Sequence, residues 1–152
     1  MLYALLKTLH VLAIVVWIGG MVFAHFFLRP AVASLEPPAR LRLMHDVLGR
    51  FFRAVMVASL LALLTGGWMM GSAAGAGVKL PWPWHAMAGL GLLMVAIFMH
   101  IRFALYKRLS RAVAASDWPA GGAALGQIRQ WVSANLAIGI LILLVTLPRW
   151  QG

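Results

Sequence analysis

Residues 3–28 read YALLKTLHVLAIVVWIGGMVFAHFFL, a run in which Lys7 is the only charged side chain. As a helix this stretch rises about 39 Å, more than the roughly 30 Å of a bilayer's hydrocarbon core. No water is available at that depth, so the backbone has to satisfy its own hydrogen bonds and the helix is the required form. The run holds two histidines, lacks a small-residue cleavage site and passes straight into Arg29-Pro30. It therefore reads as a retained first span and not as a cleaved leader.

The rest of the 152 residues follow suit, being 63% hydrophobic overall with three acidic residues. Further spans are expected at about 48–70, 84–105 and 131–147. The linker Glu36-Pro37-Pro38-Ala39-Arg40 is expected to forbid a continuous helix because of its prolines. Pro81 and Pro83 are positioned to start the third helix. The stretch 115–126, with Asp117, Pro119, Gly121 and Gly122, reads as a loop. The expected fold class is all-α: an integral membrane four-helix bundle forming a single transmembrane domain over 1–152. The chain has no cysteine, which excludes a disulfide framework and a thiolate metal site.

Charge sets the expected orientation. Arg29, Arg40, Arg42, Arg50, Arg53, Arg102, Lys107, Arg108, Arg111 and Arg129 flank the first and third connections, leaving Lys7, Lys79 and Arg149 for the other face. The positive-inside rule then puts both termini on the periplasmic side of a bacterial inner (cytoplasmic) membrane. The same segregation accounts for the net charge of +10 without nucleic acid as a partner. The tryptophans, Trp150 among them, fall mostly near span ends as an aromatic belt would, with Trp17 the mid-span exception.

Spans one and three read alike around their histidines. His10 and His25 are fifteen residues apart, as are His85 and His100, with Arg29 and Arg102 just beyond. Both helices run in the same direction, so His10 shares a level with His85 and His25 with His100. The levels are separated by roughly 22 Å, and the two histidines of one helix lie about 60° apart around its axis. Intramembrane histidines are costly and tend to mark functional sites. Facing imidazoles from two helices can fill both axial positions of a haem iron, leaving it to transfer electrons. Two haems b, on His10 with His85 and on His25 with His100, would make a wire across the membrane. Gly19, Gly20, Gly66, Gly67, Gly89, Gly91 and Gly139 would give a macrocycle room, or simply let helices pack closely. Arg29, Arg50, Arg53 and Arg102 suit propionates of the inner haem, with Lys7, Lys79 or Arg149 for the outer one; headgroup contact explains each equally well. His45, beside Asp46, can substitute as a ligand, relay protons, or sit solvated at the interface. Copper offers a competing reading, since thioether and imidazole suit Cu(I). Met56, Met69, Met70, Met87, Met94 and Met99 show no regular spacing, however, and methionine is an ordinary apolar filler.

The segment Leu6-Lys7-Thr8-Leu9-His10-Val11-Leu12-Ala13, followed by Trp17-Ile18-Gly19-Gly20 and Leu28-Arg29-Pro30, resembles the opening helix of CopD-type membrane proteins. Leu64-Thr65-Gly66-Gly67 and the basic exit of span three are similar to that family too. The chain also resembles the HemJ family, a haem-containing protoporphyrinogen oxidase with a first-helix histidine matching His10, and small two-haem b-type cytochromes such as quinol-linked superoxide oxidases. The CopD resemblance implies copper uptake or resistance, and the others imply haem. The matched histidine pairs favour a dihaem cytochrome passing electrons between a membrane quinone and a periplasmic donor or acceptor, as an electron carrier or an oxidoreductase. The alternatives are a CopD-like copper permease using His10, His85 and some methionines, and a HemJ-like single-haem oxidase on His10. A homodimer through lipid-facing small residues is compatible with each.

Overall fold

In the computed structural model, which describes residues 1–146, the chain forms four long helices: α1 (Leu2–Ala31), α2 (Pro37–Gly75), α3 (Trp82–Ala114) and α4 (Trp118–Thr146). All four are long and apolar enough to cross a membrane, and no strand occurs among the described residues. The expected end of span four at Leu147, together with Arg149 and Trp150, lies outside the described residues.

The helices are longer than the hydrophobic runs. Pro37 and Pro38 do not interrupt α2 but begin it, because a proline in the first turn lacks only an N–H that would be unpaired there anyway. Pro83 occupies the same place in α3, as expected. The stretch read as a loop over 115–126 is mostly helix. α4 starts at Trp118, with the Asp117 carboxylate accepting a hydrogen bond from Ala120 N at 3.1 Å as a cap. Pro119 falls in the first turn, and Gly121 lies against Leu41 of α2, whose Cδ1 would sit 3.1 Å from an added Cβ.

Two Schellman closures make the turns tight. At the end of α2, Val78 N bonds Ala73 O and Gly77 N bonds Ala74 O, with Gly77 at φ +75°. At the end of α3, Asp117 N bonds Ala112 O and Ser116 N bonds Val113 O, and here the left-handed position is held by Ser116 at φ 54°. Asp117 thus ends one helix and caps the next.

α1 packs chiefly on α2 and α3 on α4, with α4 also touching α1 and α2. α1 and α3 are the diagonal pair, meeting across the bundle through side chains such as Trp17 edge-on to Phe98 at 6.1 Å. Both contain a π-helical turn at the same end of the bundle, Ala24–Leu28 in α1 and Ile101–Leu105 in α3. The first adjoins Pro30, but the second has no proline nearby. The repeated segment therefore shares a backbone irregularity as well as a histidine spacing.

Packing is uneven along the bundle. At the basic end the helices run on past a membrane's thickness and keep an apolar core, with Leu41, Phe52, Ile101, Leu109 and Ile128 almost wholly enclosed. At the end bearing the N-terminus fewer side chains are enclosed, and large apolar residues such as Leu12, Val15, Leu60, Leu92 and Leu144 face outward, as lipid-facing positions should.

The turn between α3 and α4 yields a paired expectation. Asp117→Ala removes the cap and lowers stability by about 1 kcal/mol. Ser116→Gly relieves the left-handed backbone and raises it by about 1 kcal/mol. Thermal unfolding of the detergent-solubilised protein measures both.

Candidate functional site

Three of the five histidines use one hydrogen-bonding device. Thr65 Oγ1 gives its hydrogen to Leu61 O at 2.6 Å, so toward His10, 3.0 Å away, it accepts, and His10 donates from Nδ1. Ser133 Oγ donates to Arg129 O at 2.9 Å and lies 3.3 Å from His25 Nδ1, so that His25 is again the donor. Ser110 Oγ donates to Tyr106 O at 2.9 Å and receives His45 Nε2 at 3.0 Å. Each hydroxyl belongs to a different helix from its histidine, so the three bonds join α1 to α2, α1 to α4 and α2 to α3. With the hydroxyl as acceptor, the neutral tautomer of His10 and His25 carries its proton on Nδ1 and its lone pair on Nε2.

The five histidines do not meet as a cluster. His10 is half-buried against α2, and its ring lies over Gly66, with Cε1 3.0 Å from where a Cβ would stand. His85 is exposed near the start of α3. His25 is half-buried with its ring edge-on to Phe26. His100 is exposed, its ring 5.1 Å from that of Trp131. His45 is half-buried: its ring stacks on Tyr106 at 5.2 Å, Tyr106 Oη donates to its backbone carbonyl at 3.1 Å, and Asp46 lies 3.5 Å from Nδ1. Of the cationic candidates, Arg29 lines a cavity at the basic end, Arg50 and Arg53 are exposed on α2, and Arg102 lies over the rings of Tyr106 and Phe103. Three of the glycines considered as room for a macrocycle are already filled by the protein: Gly20 by Phe51, Gly66 by His10, and Gly139 by Ile18 and Met94.

A largely apolar cavity of about 350 Å³ lies in the half of the bundle nearest the N-terminus, lined by His10, Trp17, Ser59, Met70, Met87, Met94 and Thr146 among others. The methionines that look unordered in the sequence come together here. Met70 enters from the end of α2, with Met87 and Met94 seven residues, or two turns, apart on α3. Met56, Met69 and Met99 do not line it. No three His, Cys, Asp or Glu residues gather to hold a metal among the described residues. The groups of ligand type that line the cavity are one imidazole and three thioethers, which are soft and nearly neutral. Such a set suits a soft monovalent cation far better than a hard divalent one.

Sequence reasoning missed two contributors beside this cavity. Thr65 sets the tautomer of His10. Asn135, 1% exposed, donates from Nδ2 to Met94 O at 3.3 Å and leaves Oδ1 without a hydrogen-bond partner. The signal for Asn135 was present, since a lone amide inside an apolar span is itself unusual.

The family model for CopD, copper resistance protein D, matches residues 45–147. No curated protein and no solved structure matches the chain. The match covers α2 to α4, more than half of the chain, and leaves out the first helix, where the resemblance in sequence is most specific. It favours the copper alternative over the haem cytochrome.

Asn135 provides a check on the packing beside the cavity. Asn135→Leu removes a half-satisfied amide at similar volume and leaves stability unchanged or raises it by about 1 kcal/mol. Asn135→Asp buries a charge and costs about 3 kcal/mol or more. Chemical or thermal unfolding in detergent separates the two.

Proposed function

The chain belongs to the copper resistance protein D (CopD) family, and from that premise we propose that it is a copper-handling membrane protein that takes Cu(I) as cargo into the cavity around His10. The single observation that carries this reading is that Met70, Met87 and Met94 line one cavity together with His10, whose Nδ1 is held by Thr65. Thioether and imidazole donors bind Cu(I) without needing a compensating negative charge, which an apolar cavity could not easily supply. The bond from Nδ1 to Thr65 is the outer support that ligating histidines ordinarily have, holding the ring and its tautomer. Trp17, Phe98 and Phe52 pack edge to face in the bundle core, and transfer of the ion from His10 toward His25, beside Ser133, would have to pass these rings. The protein sits in the bacterial inner membrane with its termini on the periplasmic side, following its charge segregation, so the cavity faces the periplasmic leaflet.

The test is a competition titration of the detergent-purified, reduced protein against a chromophoric Cu(I) chelator. One high-affinity equivalent per chain is expected. His10→Ala and the Met87→Leu/Met94→Leu pair should weaken it by at least about tenfold, and Thr65→Val by about tenfold through the lost support. Met69→Leu and Met99→Leu should leave it unchanged. A pyridine haemochrome assay reads the competing possibilities: about two haems per chain would restore the dihaem cytochrome, and one the HemJ-like oxidase.

A further inference from the structure

The second cavity lies at the opposite, basic end and has a different chemistry. It encloses about 310 Å³ between α1, α2 and α4. Arg29, Arg40 and Arg129 each come to it from a different helix, and apart from His25 the remaining wall is apolar, including Leu41, Met44 and Val132. None of the three arginines is ion-paired with a carboxylate among the described residues, where the one such contact is His45 with Asp46. Gly122 and Gly126 of α4 face open space, so the wall is held back there by small residues. The distance along α1 from Lys7 to Arg29 is about 33 Å, close to the thickness of a hydrocarbon core, which puts the arginines at headgroup depth.

We propose that this cavity binds one anionic glycerophospholipid, its headgroup phosphate held by Arg29, Arg40 and Arg129 and the upper part of an acyl chain lying against Leu41, Met44 and Val132. Guanidinium groups suit phosphate oxygens because their paired N–H donors match the anion's geometry. Three of them without carboxylate partners leave a local positive charge that an anionic headgroup neutralises. The apolar wall distinguishes the ligand from a free anion: phosphate alone would leave that wall against water, and only an amphiphile satisfies both surfaces. His25 lines the same cavity through the π-helical turn of α1, so a bound lipid would occupy the volume next to its ring. The proposal is independent of copper and stands or falls on lipid binding alone.

The experiment measures binding to delipidated full-length protein in neutral detergent, by native mass spectrometry and by the shift in thermal unfolding. The probes are phosphatidylglycerol, phosphatidylcholine of the same chains, and inorganic phosphate. Saturable binding of one phosphatidylglycerol, with little stabilisation by the other two, is expected. Arg29→Gln/Arg40→Gln/Arg129→Gln should weaken it by at least about tenfold. Lys107→Gln/Arg108→Gln/Arg111→Gln, equal in charge but exposed on α3 away from the cavity, should leave it intact. Gly126→Leu keeps every arginine and fills the apolar part, and it too should weaken binding. It also favours helix, so it remains informative if the triple arginine variant does not fold. Equal binding of phosphatidylcholine, equal loss in both triple variants, stabilisation by phosphate matching that of the lipid, or undiminished binding in Gly126→Leu would each overturn the proposal.

Discussion

Inside a bilayer a polar side chain has no solvent to fall back on, so its partner must come from another part of the protein. The solution at His10 and His25 is a histidine N–H donated to a serine or threonine hydroxyl on a neighbouring helix, with the hydroxyl hydrogen returned to that helix's own backbone, and His45 repeats it in the extension at the basic end. Interhelical bonds of this kind contribute about 0.6 to 2 kcal/mol each in membranes. Their larger consequence is directional. A hydroxyl whose hydrogen is already committed can only accept, so each bond dictates which ring nitrogen keeps its proton. At His10 and His25 it places the lone pair of the neutral ring on Nε2.

The same bundle serves two opposite needs along its length. Its basic half keeps an enclosed core beside its own cavity, with Phe52 caught edge to face between Phe98 and Tyr106 and the core continuing past the membrane into the helical extensions. Its other half is left open around His10, and the methionines bordering that space are flexible, polarisable side chains able to change conformation around an ion. The rings of Trp17 and Phe98 lie where the enclosed core meets the space around His10.

Several features of the chain were readable before any folding. Apolar run length and charge distribution announce four spans, and the prolines before α2 and α3 mark helix starts once they are placed in a first turn. The extensions at the basic end were harder to see. Residues 37–47 and 118–130 are too polar to look like spans, and they are helical because Leu41, Met44, Ala124 and Ile128 bury one face against their neighbours. The Asp117-Trp118-Pro119 sequence looks like a turn for the same reason that it works as a helix cap.

What the sequence by itself determined is the medium, the number of crossings and the presence of costly histidines at matched spacings, since each depends on composition and local period. Only the tertiary structure decided which donors share a site. Spacing along two helices gives their levels but not their rotation or neighbours, and α1 and α3 turn out to be diagonal, with His10 bonded to α2. The methionines show the converse. Met70 and Met87 are seventeen residues apart with a turn between them, so no periodicity could relate them, and they line one cavity because α2 and α3 reverse direction around Gly77.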